Sequence, residues 1–194
     1  MCIRDSHSSP HHHRHRLLRP HFHRHGHRHV IVIVIAILLP EQAIVYDEGA
    51  TNGLGAFLLT ANAAPHDWLT LTGGAIGQGL PLAVGAAIAC PEQKVIALEA
   101  DGSGLYSVQA LWTMVREQLD VAVVLLNNRS YAILNIELSR VGVEQPGPTA
   151  LSLLDLSNPD LEWADIARGM GMQATKVETV AALDQAFADA MAQK

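Results

Sequence analysis

The chain has 194 residues, 49% of them hydrophobic and 16% charged, which is enough for one well-buried domain. Its net charge of -6 is unevenly spread, because the six arginines and one aspartate of residues 1–29 give that segment about +5 and leave about −11 on the rest. An acidic body argues against a nucleic-acid surface. Cys2 and Cys90 are too few for a disulfide framework, which fits a reducing cytoplasm.

The first 38 residues have an unusual composition. Residues 7–29 contain ten of the eleven histidines, interleaved with arginine. This is the pattern of a metal-binding tract, or of a GC-rich stretch translated in the wrong frame. The opening MCIRDS can also be encoded by a transposon-end adapter sequence. We interpret residues 1–38 as a non-native or disordered head, because the His/Arg-rich part offers almost nothing apolar to bury.

Ten apolar residues, VIVIVIAILL at 30–39, follow this basic stretch in the manner of an export signal. They are too few to span a bilayer, and no small-residue cleavage site follows them. We therefore expect a cytoplasmic protein with no membrane segment and a folded domain over residues 39–194.

From Ala43 onward, short apolar runs alternate with helical patterns. The predicted elements are, in chain order, a strand at 43–46, a helix at 52–60, a return through WLTLTGG to a glycine-rich turn, a helix at 79–89, a strand at 94–100, a helix at 107–119, a strand at 121–126, a helix at 161–171, a strand at 174–177 and a helix that opens on Thr179. Strands separated by helices indicate an α/β fold, a doubly wound parallel sheet with helices on both faces.

The helix at 107–119 carries apolar residues at helical spacing. This spacing predicts one buried face made of Val108, Leu111, Trp112, Val115 and Leu119. We expect Trp112 to lie in the core and not to form a stacking platform.

Three predicted strands end in polar or glycine-rich segments, DEGATN, ADGSG and NNRSY. In doubly wound folds ligands bind at the carboxyl ends of the strands. Asp101 and Asn128 are one strand-to-strand crossover apart, so we expect them at the ends of neighbouring strands. One carboxylate and one carboxamide suit a hard cation such as Mg²⁺, while Gly102 and Ser103 at a helix start suit phosphate oxygens. The pattern predicts a site for Mg²⁺ with a diphosphate.

Each half of this pattern has an ordinary structural explanation. An Asp-Gly after a strand is usually a plain turn, and an Asn pair after a strand is usually the start of a loop. Their joint occurrence at this spacing is much rarer. The glycines of GGAIGQG do not fit the dinucleotide fingerprint GxGxxG.

The segment ADGSGLYSVQALWTMVREQLDVAVVLLNN resembles the thiamine-diphosphate motif, which begins Gly-Asp-Gly and ends Asn-Asn. GGAIGQGLPLAVGAAIACPE is similar to the segment that precedes this motif in acetolactate synthases and benzoylformate decarboxylases. The resemblance covers residues 39–194 and is to the C-terminal pyrophosphate-binding domain of these enzymes. It implies thiamine diphosphate and Mg²⁺ as cofactors, and it implies that this domain is truncated at both ends relative to the full enzyme.

The resemblance also implies roles for individual residues. Mg²⁺ would be bound by the side chains of Asp101 and Asn128 and by the backbone carbonyl of Ser130. The diphosphate would be contacted by Thr51, Asn52, Gly102, Ser103 and Tyr131. The carbonyl of Gly74 would accept from the aminopyrimidine amino group, and Ile76 would be the apolar wedge that forces the cofactor into its V shape.

This chain departs from the family pattern in two respects. Ala100 stands where the motif begins with glycine, a small change beside the metal ligand. The family's activating glutamate lies in a separate pyrimidine-binding domain. We do not assign that role to Glu48, which belongs to the diphosphate-side strand end.

We therefore predict the cofactor-binding portion of a decarboxylase or carboligase acting on small 2-oxo acids, inactive without the pyrimidine-binding domain. Two alternatives stay open, a β-type subunit of a 2-oxoacid oxidoreductase and a non-catalytic cofactor-binding fragment. The resemblance implies a homodimer or homotetramer for the full-length enzyme. It leaves open which 2-oxo acid is used and whether a middle domain binds FAD.

Overall fold

The computed structural model describes residues 2–4, 33–49 and 53–193. Its described strands form one sheet in the order β3-β2-β4-β5-β1-β6, and every neighbouring pair is parallel. The strands are β1 (Cys2–Arg4), β2 (Ile44–Asp47), β3 (Asp67–Thr70), β4 (Val95–Ala100), β5 (Val121–Asn127) and β6 (Lys176–Val177). Because all strands are parallel, their carboxyl ends and the turns that follow lie at one edge of the sheet.

Helices cover both faces of this sheet. They are α1 (33–38), α2 (Gly53–Thr60), α3 (Gly79–Ala89), α4 (Asp101–Gly104), α5 (Ala110–Arg116), α6 (Ala132–Arg140), α7 (Pro148–Ser152), α8 (Trp163–Gly169) and α9 (Val180–Ala192). None of the helices within the described ranges is long and apolar enough to cross a bilayer.

Alternate residues of the central strands enter two different cores. Val45 and Ile96 pack in one core with residues of α1, α2 and α9, whereas Ile44 and Val95 pack in the other with residues of α3, α5 and α8. All four side chains are buried. A strand covered by helices on both faces has no solvated side, which explains why these strands are continuously apolar. The predicted doubly wound α/β fold is confirmed.

The packed part of the chain extends beyond the predicted domain boundary. Residues 33–38 are helical, and Val34 and Ile35 are buried in the same core as Leu39, so the ordered region begins before Leu39. Cys2–Arg4 pairs in parallel between β5 and β6. The structure therefore has ordered elements at these two places, and the interpretation of residues 1–38 as a non-native or disordered head stays a prediction. The rest of residues 1–38, including the His/Arg-rich tract, lies outside the described residues.

Three further elements were not predicted, and the predicted buried face of the helix at 107–119 is correct at Leu111 but wrong at Trp112 and Val115, which are exposed. WLTLTGG contains the edge strand β3, and the segment after the Asn pair contains α6 and α7. The buried face of α5 is formed by Ala110, Leu111 and Met114. Trp112 is 51% exposed, with the guanidinium of Arg116 over its ring, so it is not a core residue.

The prediction for the last helix is confirmed in detail. Thr179 has an extended backbone and its hydroxyl accepts a hydrogen bond from the amide of Ala182, which makes it the N-cap of α9. Leu183 and Phe187, four residues apart, are buried against the sheet.

Candidate functional site

Asp101 and the loop after β5 meet at the carboxyl edge of the sheet. The strands β4 and β5 are neighbours in register, with Ala100 opposite Leu126. The amide of Arg129 donates to Oδ2 of Asp101 at 2.6 Å, and the amide of Gly102 donates to Oδ1 at 3.1 Å. The predicted proximity of Asp101 to the Asn pair is thus present in the fold.

The Asp101 carboxyl is almost completely buried, with 1% of its surface exposed. Burial raises the pKa of Asp101 to about 6, against the opposing effect of the hydrogen bonds from the amides of Arg129, Gly102 and Ser130. Amides offset only part of the charge of a buried carboxylate. A divalent cation at this position would offset the remainder and favour the ionised form.

Asn127 and Asn128 have different partners. Oδ1 of Asn127 accepts from the amide of Arg129 at 3.1 Å, and this side chain is buried, as a structural role in the turn requires. Oδ1 of Asn128 accepts from the amide of Ser130 at 3.0 Å, and this residue is only half-buried. The carbonyl of Ser130 accepts from Ala132 at 2.8 Å. Each oxygen retains a second lone pair with which it could bind a cation.

These groups make a set of oxygen ligands that suits Mg²⁺. One carboxylate, one carboxamide and one carbonyl leave coordination positions for water and for the oxygens of a ligand's phosphates. Within the described residues there is no cluster of three or more histidine, cysteine, aspartate or glutamate side chains that could hold a metal. The chemistry of the set is therefore that of a hard cation bound jointly with a phosphate ligand.

A second segment holds the loop after β5 from outside. Arg129 has a positive φ of 60°, and its Nε donates to Asp160 at 2.6 Å. The carbonyl of Arg129 accepts from Leu156 at 3.0 Å, and the amide of Tyr131 donates to Leu154 at 2.9 Å. The segment 154–160 thus fixes the backbone of the loop that carries the candidate ligands.

Gly102 is required by a close approach of Tyr131. A Cβ on Gly102 would lie 2.5 Å from Cε1 of the Tyr131 ring, so no other residue fits without displacing the ring. Burial raises the pKa of Tyr131, and the charges of Tyr106 and Asp101 act in the same direction. The ring and the first turn of α4 together form one wall of the site.

The hydroxyl of Ser103 points inward. It donates to Oε1 of Glu99 and lies 3.2 Å from the carbonyl of Ala100. A contact between Ser103 and a phosphate would therefore use its backbone amide and not its side chain. Thr51 and Asn52, the other predicted diphosphate contacts, lie outside the described residues.

The turn that contains Gly74 and Ile76 lies at the same edge of the sheet. It follows β3 through a 3₁₀ turn at Thr72–Gly74, and Gly73, Gly74 and Gly77 all have positive φ. Gly74 is exposed and Ile76 is half-buried. At Gly77 a Cβ would lie 2.6 Å from the Cβ of Tyr106, which brings this turn against the segment after α4.

Two buried glutamates below this turn were not predicted as part of the site. Glu48 and Glu99 are both 0% exposed. Burial raises the pKa of Glu99 to about 8; the hydrogen bond from Ser103 opposes the rise, and the charge of Glu48 adds to it. The sequence did contain a signal for Glu99, because it is a charged residue inside VIALEA, a strand buried on both faces. Glutamate is seldom fully buried, so its presence there indicates a special role.

A doubly wound parallel sheet with polar strand ends beside a glycine-containing helix start is the arrangement in which α/β domains bind the phosphates of a cofactor. Residues 47–194 match the family model of the thiamine pyrophosphate enzyme C-terminal TPP binding domain. The chain belongs to this family, and thiamine diphosphate as its cofactor is confirmed.

Relatives agree with this assignment. The chain is 54% identical over 155 residues to a Mycobacterium tuberculosis protein named provisionally as acetolactate synthase large subunit IlvX, covering 79% of this chain and 29% of that protein. It is 31% identical to benzoylformate decarboxylase of Pseudomonas aeruginosa over 80% of this chain and 28% of that enzyme. These relatives favour the acetolactate synthase and benzoylformate decarboxylase type over the oxidoreductase subunit.

A solved structure has the same fold. The thiamine diphosphate-dependent 4-hydroxybenzoylformate decarboxylase of Rhodococcus jostii superimposes with a TM-score of 0.76 at 27% identity, over 86% of this chain and 30% of that one. The chain thus spans less than a third of the length of the relatives that it matches.

Proposed function

We propose that this chain is the Mg²⁺- and diphosphate-binding part of a thiamine-diphosphate-dependent decarboxylase or carboligase acting on 2-oxo acids. The observation that carries the proposal is the hydrogen bond from the amide of Arg129 to Asp101, because it holds the loop of Asn128 and Ser130 against that carboxylate at the edge of the sheet. The 31% identity to a benzoylformate decarboxylase supports the 2-oxo acid as substrate class.

In this proposal Asp101, Asn128 and the carbonyl of Ser130 bind Mg²⁺. The amides at the start of α4 and the ring of Tyr131 contact the diphosphate, with Thr51 and Asn52 as further contacts. Thiamine diphosphate, when bound, supplies the nucleophilic carbon and the electron sink that loss of CO₂ from a 2-oxo acid needs. Gly74 and Ile76 orient the other end of the cofactor, which is catalysis by preorganisation.

We further propose that these residues bind the cofactor but do not turn over substrate alone. The family's activating glutamate belongs to another domain, and we assign its role to none of the residues that the structure describes around the site. Glu48 is not a replacement, because its carboxylate is fully buried under the glycine turn and accepts two backbone amides. The full-length enzyme would work as a homodimer or homotetramer in the cytoplasm.

Two measurements on the purified chain test this. Calorimetric titration of thiamine diphosphate in the presence of Mg²⁺ should show binding, and a subsequent assay for CO₂ release from pyruvate should show no turnover. A folded chain that does not bind the cofactor would contradict the binding proposal. Measurable decarboxylation would contradict the proposal that the chain is inactive alone and would leave the binding proposal intact.

A further inference from the structure

Glu48 and Glu99 form a buried acidic pair between the two turns of the site. Glu48 directly follows β2, and Glu99 is the next-to-last residue of the adjacent strand β4. The amide of Glu48 donates to the carbonyl of Leu98 at 2.8 Å, which extends the ladder and places the two glutamates side by side. Neither side chain reaches solvent.

Glu48 holds the glycine turn from below with both carboxylate oxygens. Oε1 accepts from the amide of Gly77 and Oε2 from the amide of Gly79, each at 2.5 Å. Among the described residues, the other side-chain hydrogen bonds of this turn are local: Gln78 donates through Nε2 to the carbonyls of Thr72 and Ala75. The bonds to Glu48 join the turn to the residue that follows β2.

Glu99 makes the corresponding connection on the other side. Its Oε1 accepts from the hydroxyl of Ser103 and from the amide of Ala100. Its Oε2 accepts no hydrogen bond from an amide or hydroxyl of the described residues, and its neighbour is the carboxyl of Glu48. This oxygen and Oε2 of Glu48 both lie in the space that a side chain at position 79 would fill. Gly79 is thus the point at which the two carboxyl groups meet.

We propose that Glu48 is a positioning residue, which with Glu99 sets the turn of Gly74 and Ile76 relative to the turn of Asp101 and Ser103. The inference rests on the proposed function, which assigns the first turn to the aminopyrimidine end of the cofactor and the second to its diphosphate. Two strong hydrogen bonds from one buried carboxylate fix a flexible, glycine-rich turn before the cofactor arrives.

The test compares Glu48→Gln with Glu41→Gln, which makes the same chemical change at an exposed position. A carboxamide at position 48 has one acceptor oxygen and one NH₂ donor. Its NH₂ group would face one of the two backbone N–H donors of Gly77 and Gly79, so one of the two hydrogen bonds is lost. Hydrogen exchange of at least one of the Gly77 and Gly79 amides in the free protein should become at least about tenfold faster, because their protection comes from these bonds. Glu41→Gln should not change it.

Cofactor affinity supplies a second readout. In Glu48→Gln the affinity for thiamine diphosphate with Mg²⁺ should fall about tenfold, as for a lost charged hydrogen bond. The affinity for inorganic diphosphate with Mg²⁺ should change less than about threefold, because that ligand does not use the glycine turn. A purely structural glutamate would change both affinities equally or leave both unchanged.

Each result decides the proposal. A folded Glu48→Gln with wild-type exchange at Gly77 and Gly79 and wild-type affinity for thiamine diphosphate overturns it, as does an equal loss for both ligands. If the wild-type chain binds neither ligand, the proposed function itself fails and this inference fails with it. If Glu48→Gln does not fold, Glu48→Asp replaces it, since the shorter carboxylate cannot reach both amides and should give the same selective loss.

Discussion

The amide of Arg129 donates to Oδ2 of Asp101 at 2.6 Å, across the ends of two neighbouring parallel strands. This bond fixes the loop after β5 against the carboxylate that ends β4. The side chain of Asn128 and the carbonyl of Ser130 belong to that loop, so the same contact holds the segment with the other two candidate metal ligands beside Asp101. The geometry of the site is therefore set by sheet register and backbone bonding.

Substitution of Gly102 should damage the site through Tyr131. In Gly102→Ala the new methyl group would overlap the Tyr131 ring, which must move away from the site. We expect a loss of about 1–3 kcal/mol in the free energy of unfolding, as for overpacking. Affinity for thiamine diphosphate should fall at least about tenfold, because one wall of the site is displaced. Urea unfolding and calorimetry measure the two effects.

Gly85→Ala is the matched control. Gly85 lies in the exposed face of α3, and a Cβ there would meet no atom within 4 Å. Alanine in a helix interior is favoured over glycine, so this variant should be about 0.5–1 kcal/mol more stable than wild type. Equal destabilisation by both substitutions would contradict the role given to the Tyr131 contact.

On α5, removal of the smaller side chain of Met114 should reduce stability more than removal of the larger side chain of Trp112. Met114 is 1% exposed and Trp112 is 51% exposed. Met114→Ala leaves a cavity and should cost about 2–5 kcal/mol of stability, whereas Trp112→Ala should cost less than about 1 kcal/mol. Denaturant unfolding of the isolated chain measures both. A larger loss for Trp112→Ala would mean that the helix is rotated from the orientation described above.

Ionisation of Glu99 should reduce stability as pH rises. Burial raises its pKa to about 8 from an ordinary value of 4.5, so the native state holds this proton more tightly than the unfolded state does. The free energy of unfolding therefore declines between about pH 4.5 and about pH 8, and the loss is complete above that range. Glu99→Gln cannot ionise and should lack this component.

The measurement for Glu99 is the difference in unfolding free energy between wild type and Glu99→Gln at two pH values. Between about pH 5 and about pH 9, the unfolding free energy of the wild type should fall by at least about 1 kcal/mol relative to that of Glu99→Gln. Other titrating groups, including Asp47 and Asp101, are present in both proteins and cancel. Glu41→Gln controls for the loss of one charge, and a pH-independent difference for Glu99→Gln would contradict the buried position of its carboxyl.

The sheet and the neighbouring positions of Asp101 and the Asn pair could be predicted from sequence because both depend on short-range patterns. Continuous apolar strands indicate burial on both faces, and a polar residue directly after such a strand must lie at the carboxyl edge. Asp101 and Asn128 were therefore located without knowledge of any contact. The strand β3 escaped prediction because an edge strand of four residues, three of them exposed, has no long apolar run.

The glutamate pair could not be derived in the same way. Glu48 and Glu99 are 51 positions apart, and their relation depends on β2 and β4 being neighbours in register. Helix orientation was a similar problem: the apolar residues of α5 cover more than one face, and tertiary packing selects Leu111 and Met114 over Trp112. Sequence periodicity predicts that a helix forms. It does not predict which face of the helix is buried when the helix has more apolar residues than one face can hold.

The Mg²⁺ dependence of thiamine diphosphate binding tests the central claim most directly. Calorimetric titration should give binding with Mg²⁺ and at least about a hundredfold weaker binding in a chelator, because in the proposed site the cation would be held by Asp101 together with the diphosphate. Asp101→Asn should lose the Mg²⁺-dependent binding, while Asp165→Asn, at an exposed position on α8, should retain it. Equal affinity with and without Mg²⁺, or wild-type binding by a folded Asp101→Asn, would contradict the account.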